Sequence, residues 1–138
     1  MTNRLLILSI FAATSTASLL AQEPTKLKVN IPFSFHVGQT PMPAGMYTVQ
    51  DGLVAKRILT LRAADGAGVH IGFIPNSTSR PPAEGKLVFT KYDGDYFLSQ
   101  VWTPESTTVA TIAKTPREFE LSARGRPADQ TTLVARRK

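Results

Sequence analysis

The sequence predicts an all-β fold, an antiparallel β-sandwich or partly open barrel of about seven strands with a short C-terminal helix. Three observations carry that expectation. Leu27, Val29, Ile31, Phe33, Phe35 and Val37 alternate with polar residues and Pro32 over an unbroken stretch, the period of a strand with one wet face. Residues 86–102 place two runs rich in Val, Phe, Tyr, Leu and Trp around Asp93-Gly94, a pair that tolerates the positive φ of a type I′ hairpin. Further short apolar runs recur between turn residues along the middle of the chain.

The elements follow in order. Pro32 cannot donate to a ladder, which predicts an edge or a bulge for the first strand, and Gly38 ends it. Pro43-Ala44-Gly45 reads as a turn leading into a strand at 46–50, with Tyr47 and Val49 on one side. Strands at 57–62 and 69–74 flank Ala64-Asp65-Gly66 as a second hairpin, with Val69, Ile71 and Phe73 facing inward. Residues 75–85, with three prolines and a polar centre, form a surface loop.

The central hairpin has two registers. With Asp93 and Gly94 as its loop, Tyr92 faces Asp95, Phe89 faces Leu98 and Leu87 faces Gln100, gathering Leu87, Phe89, Tyr96, Leu98 and Trp102 on one face. With Gly94 in a bulge, Lys91 closes against Asp95 and Phe89 meets Phe97. The first register collects the larger apolar set and is preferred. A strand at 107–112 follows. A helix then starts at Thr115: the threonine caps, Pro116 suits the first turn and Glu118 reaches back to the cap amide. Phe119 is its expected anchor, and Gly125 and Pro127 stop it. Residues 131–136 either add a strand or form a disordered end.

Composition sets the broader frame. Arg4, the apolar run 5–13 and small residues up to Ala21 read as an export signal, giving a division into a signal peptide at 1–21, a β domain at 22–113 and a basic helix and tail at 114–138. The expected location is periplasmic or secreted. With no cysteine, disulfides, thiol chemistry and a lipid-anchor cysteine are excluded. Lys and Arg number 16 against 10 Asp and Glu; without Arg4 the excess is 15 against 10. From Lys114 onward seven basic residues face three acidic ones, so the end of the chain holds most of the positive charge.

Several segments together resemble a family of small exported β proteins of unknown function common in acidobacterial genomes. They are Ile31-Pro32-Phe33-Ser34-Phe35-His36-Val37-Gly38, Pro43-Ala44-Gly45-Met46-Tyr47-Thr48-Val49, Leu59-Thr60-Leu61-Arg62 with Asp65-Gly66, and Gly85-Lys86-Leu87-Val88-Phe89 with Tyr96-Phe97-Leu98 and Val101-Trp102. The resemblance implies an exported β fold and no activity, cofactor or catalytic residue. The residues after Gly125 extend past the family's usual ending.

Candidate sites are few. His36 and His70 fall opposite the apolar sets of their strands and lack metal-ligand spacing, and Ser34 beside His36 lacks a nucleophile elbow. Asp93 and Asp95 belong to a hairpin tip and lack the further spaced oxygens of a calcium loop. No catalytic, cofactor or metal residue is therefore assigned. The aromatic set Phe33, Phe35, Tyr47, Phe73, Phe89, Tyr96, Phe97 and Trp102 fills a core or lines an apolar ligand cavity. The chemically distinctive group is Arg124, Arg126, Arg136, Arg137 and Lys138, cations suited to an anionic envelope polymer or lipid headgroups; nucleic acid is disfavoured because no aromatic residue is interleaved for base stacking. The expectation is a non-enzymatic exported binding or structural module, with a carrier of a small apolar ligand as the alternative and a small hydrolase third.

Overall fold

A computed structural model describes residues 26–53, 57–125 and 128–137, with the side chains of 51–53 left aside. The expected signal segment, Arg126, Pro127 and Lys138 lie outside the described residues. Eleven strands and one helix occur among the described residues. In chain order they are β1 (Lys26–Ile31), β2 (Phe35–Val37), β3 (Thr40–Met42), β4 (Gly45–Leu53), β5 (Ile58–Ala63), β6 (Gly68–Gly72), β7 (Ile74–Ser77), β8 (Gly85–Tyr92), β9 (Asp95–Trp102), β10 (Thr108–Thr111), α1 (Pro116–Ala123) and β11 (Asp129–Arg137).

The fold class is the one expected. Nine strands follow the order β3-β2-β9-β8-β11-β1-β4-β5-β6, and β10 and β7 continue from the free part of β9. The chain passes directly from β6 to β7 through Phe73, so the two ends of the sheet approach each other and the barrel nearly closes. The turn between β2 and β3 fills the remaining gap: a Cβ built on Gly38 would lie 2.8 Å from Ile71 Cδ1. All pairings are antiparallel except β2 with β9.

The first strand departs from expectation. Pro32 interrupts it, so β1 and β2 are separate strands, and β1 is internal, between β4 and β11, rather than at an edge. Proline tolerates this because it falls just past the end of β1, where no ladder donor is needed. The polar segment 75–85 does contribute a strand, β7, but one whose four residues are all exposed, as an edge strand containing Pro75 allows. Residues 129–137 resolve the alternative left at the C-terminus. They form β11, paired through seven residues to β8 and, at its far end, to β1.

The central hairpin takes the preferred register near its turn. Asp93 and Gly94 have φ of 50° and 97°, Tyr92 pairs with Asp95, and Phe89 with Leu98. Beyond that point the register shifts, because Ser99 is an extra residue opposite the Val88–Phe89 step, held by its hydroxyl donating to the Val88 carbonyl at 2.8 Å. A one-residue bulge exchanges the faces of everything that follows. Leu87 therefore meets Val101, which is buried in the core, while Trp102 turns outward and is half-buried.

One continuous core receives side chains from every strand except the exposed β7, including Ile31, Phe35, Leu61, Phe89, Val101 and Ala135. Phe33 stacks on Tyr96 with ring centres 3.8 Å apart and meets Phe89 edge-on at 5.1 Å. The Tyr47 hydroxyl donates to the Pro43 carbonyl, and burial, reinforced by Asp65, pushes its phenol above its ordinary value.

Helix α1 forms as its cap residues require: the Glu118 amide donates to Thr115 Oγ1 at 3.2 Å, and the Thr115 amide donates to Glu118 Oε2 at 2.9 Å. Phe119, the expected anchor, is instead 60% exposed, and Leu121 packs on Tyr92 and Phe97 outside the barrel. The box turns Glu118 toward the sheet, Leu121 follows three residues later on the same side, and Phe119 is carried about 100° away.

A side chain at Gly85 would bring its Cβ to 2.8 and 3.0 Å from the buried Leu27 methyls and 3.2 Å from the Ala135 carbonyl, so Gly85→Ala lowers unfolding stability by about 1–3 kcal/mol in a denaturant titration. Burial raises the Glu118 carboxyl above its ordinary 4.5, outweighing the Thr115 amide, Lys114 and His36, which lower it. A carboxyl raised in the folded state stabilises fully below its unfolded value, and that stability is lost as pH rises through the folded value. Glu118→Gln keeps the box and removes the titration, so its stability gains on the parent as pH rises from 4 to 7; parallel profiles would contradict this.

Candidate anion-binding face

The alternation that buries Leu27, Val29 and Ile31 sends Lys26, Lys28 and Asn30 to the outer surface of β1. The same alternation sends Val134 and Arg136 outward on β11 around the buried Ala135, and Thr60 and Arg62 outward on β5 around Leu61. Strand order then decides which of these meet. Arg136 is directly opposite Lys28, Lys28 opposite Thr48, and Thr48 opposite Arg62. Three cations thus share one cross-strand row spanning about 15 Å. Lys26 lies two residues from Lys28 in the adjacent row, which continues through Gln50 and Thr60 to His70.

This face is also sculpted. One shallow hollow is lined by Lys28, Asn30, Met46, Val134 and Arg136, and a second by Lys26, Thr48, Gln50, Thr60 and Arg62. Lys26, Lys28, Arg62 and Arg136 are all exposed, and among the described residues the ion pair is Arg117 with Asp95 at 3.4 Å, away from this face. Glu84 and Glu105 line a hollow with Arg136 and Arg137 at the barrel rim, without approaching either arginine to ion-pair distance. The charges of the row are therefore left for solvent or a ligand.

The residues singled out from the sequence are not brought into one cluster. Arg124 caps the end of α1, near the tip of the central hairpin, whereas Arg136 and Arg137 end β11, which runs the length of β8 in the opposite direction. About 20 Å separates them. Arg126 and Lys138 lie outside the described residues. Lys26, Lys28 and Arg62 were missed as site residues. Their outward parity was readable in the alternation, but nothing local says that the last strand lies beside the first.

The other candidates find structural employment. His36 stacks on Phe97 with centres 4.8 Å apart, and a groove of about 440 Å³ between it and the start of α1 is lined by Pro41, Thr115, Pro116 and Arg117. Two of the polar groups of that groove are already engaged, Thr115 in the cap and Arg117 with Asp95. His70 Nδ1 lies 2.8 Å from Thr60 Oγ1 on the exposed surface. Among the described residues, no three His, Asp or Glu residues gather as a metal site and no helix is long and apolar enough to cross a membrane. No family model, curated protein or solved structure matches the chain.

Proposed function

We propose that this chain is an exported, non-enzymatic module that holds an anionic partner of the cell envelope against the outer face of β11, β1, β4 and β5. The observation that carries this reading is the pairing of Lys28 with Arg136. Like charges directly opposite across a ladder destabilise a sheet, and here Arg62 in the same row adds to the repulsion, with no acidic side chain among the described residues in ion-pair contact to relieve it. A local arrangement that costs stability without structural return is the kind kept for a ligand. Each bound cation also releases counterions from a polyanion, which makes such a row most effective toward a polymer.

The interior supports a surface function over carriage of an apolar molecule. Phe35, Tyr47 and Phe89 each retain 2% exposure or less, and the aromatic set that would line a ligand cavity is mostly spent on mutual packing. Such filling is the ordinary interior of a small barrel.

The test is retention on an anionic polysaccharide resin through a salt gradient. The double variant Lys28→Thr with Arg136→Thr keeps strand propensity and elutes at lower salt than the parent, with the slope of log retention against log salt reduced by about two. Its unfolding stability equals or exceeds the parent's, because a repulsive pair is gone. Arg124→Thr, at the far end of the barrel, leaves retention nearly unchanged. Equal retention of parent and double variant would contradict the proposal.

A further inference from the structure

Beside the cationic row runs a second one. Trp102 pairs with Lys86, Lys86 with Val134, and the hollow shared by Val134, Asn30 and Met46 carries the row onto β1 and β4. It is displaced two residues along the strands from Arg136 and Lys28, about 7 Å. Its character differs. Val134 is 59% exposed and Met46 39%, and Trp102 contributes a half-buried ring. The ring's indole N–H donates to Gln100 Oε1 at 3.1 Å, and the Lys86 ammonium lies 4.2 Å from its centre.

We infer that the anionic partner is an acidic polysaccharide, lying across the sheet with its carboxylates or sulfates on Lys28, Arg136 and Arg62 and its apolar sugar faces on Trp102 and Val134. This rests on the proposed function and narrows it. A sugar ring presents C–H groups on its faces and hydroxyls around its rim, so it is recognised by an aromatic or aliphatic platform next to short hydrogen-bonding side chains. The surface supplies both: Asn30, Thr48, Gln50, Thr60 and Gln100 stand between or beside the cations. A polyphosphate has no apolar face to use the platform. A lipid surface would be met by side chains projecting from the protein, and these lie in a sheet face among amides and hydroxyls.

Trp102 is the chain's only tryptophan, so its emission reports this site alone. The experiment titrates the mature protein with polygalacturonate, with inorganic polyphosphate of matched charge, and with anionic phospholipid vesicles, reading Trp102 emission and affinity. The expected result is a change in emission with polygalacturonate and none with polyphosphate, and an affinity for polygalacturonate about fivefold weaker in Trp102→Ala while polyphosphate binding is unaltered. Polygalacturonate and polyphosphate binding equally, with emission unmoved and both weakened by the Lys28→Thr, Arg136→Thr variant, would overturn the polysaccharide assignment and leave the anionic face standing. Binding to vesicles alone would also overturn it. Failure to bind any of the three would remove the proposed function itself. Because the emission change is read on the unmodified chain, the result does not depend on how Trp102→Ala folds.

Discussion

Everything distinctive about this barrel depends on the insertion of β11 between β8 and β1. The first described strand and the last are brought together by it, and without it β1 and β8 would each present an unpaired edge to water. Its pairing is unequal: seven residue pairs with β8, and with β1 a junction at Leu27 and Lys28 only. The close approach at Gly85, where the Leu27 methyls and the Ala135 carbonyl leave no room for a side chain, lies at this same junction. The seam is thus set by backbone pairing on one side and by tight apolar packing on the other.

That seam also determines the surface. Burial of Ala135 against the core obliges Arg136 to point outward, and the junction places it opposite Lys28. The core and the cationic row are therefore two faces of one register; a slip by one residue would bury the arginine and expose the alanine. In energetic terms the hydrophobic burial of residues such as Leu27 and Ile31, worth about 1.5–3 kcal/mol each, outweighs a like-charge pair worth some tenths. The sheet tolerates the repulsion because the core holds it in place.

Much of the fold was legible in local pattern. Alternation located β1, β4, β5, β6 and β8, the Asp93-Gly94 turn fixed the hairpin's tip, and Thr115, Pro116 and Glu118 specified a capping box that forms as written. What escaped local reading has physical causes. A bulge at Ser99 depends on how the strand bends into the barrel, and it turned Trp102 from core to surface. Helix α1 chose Leu121 over Phe119 because the capping box sets its rotation. The basic terminus was legible as charge, but its placement as an internal strand rests on a pairing between residues about a hundred positions apart, which no short-range signal encodes. The candidate face was for that reason only half visible: its residue parities could be read, its assembly could not.

Native-state amide hydrogen exchange decides whether the basic C-terminal residues are held inside the sheet. The β11 amides from Thr131 to Ala135 are expected to exchange as slowly as those of β8, through the same global opening. Exchange of that segment at the rate of an unstructured chain, with β8 still protected, would contradict it: the terminus would then be a mobile tail, and the row joining Arg136 to Lys28 would not exist in solution.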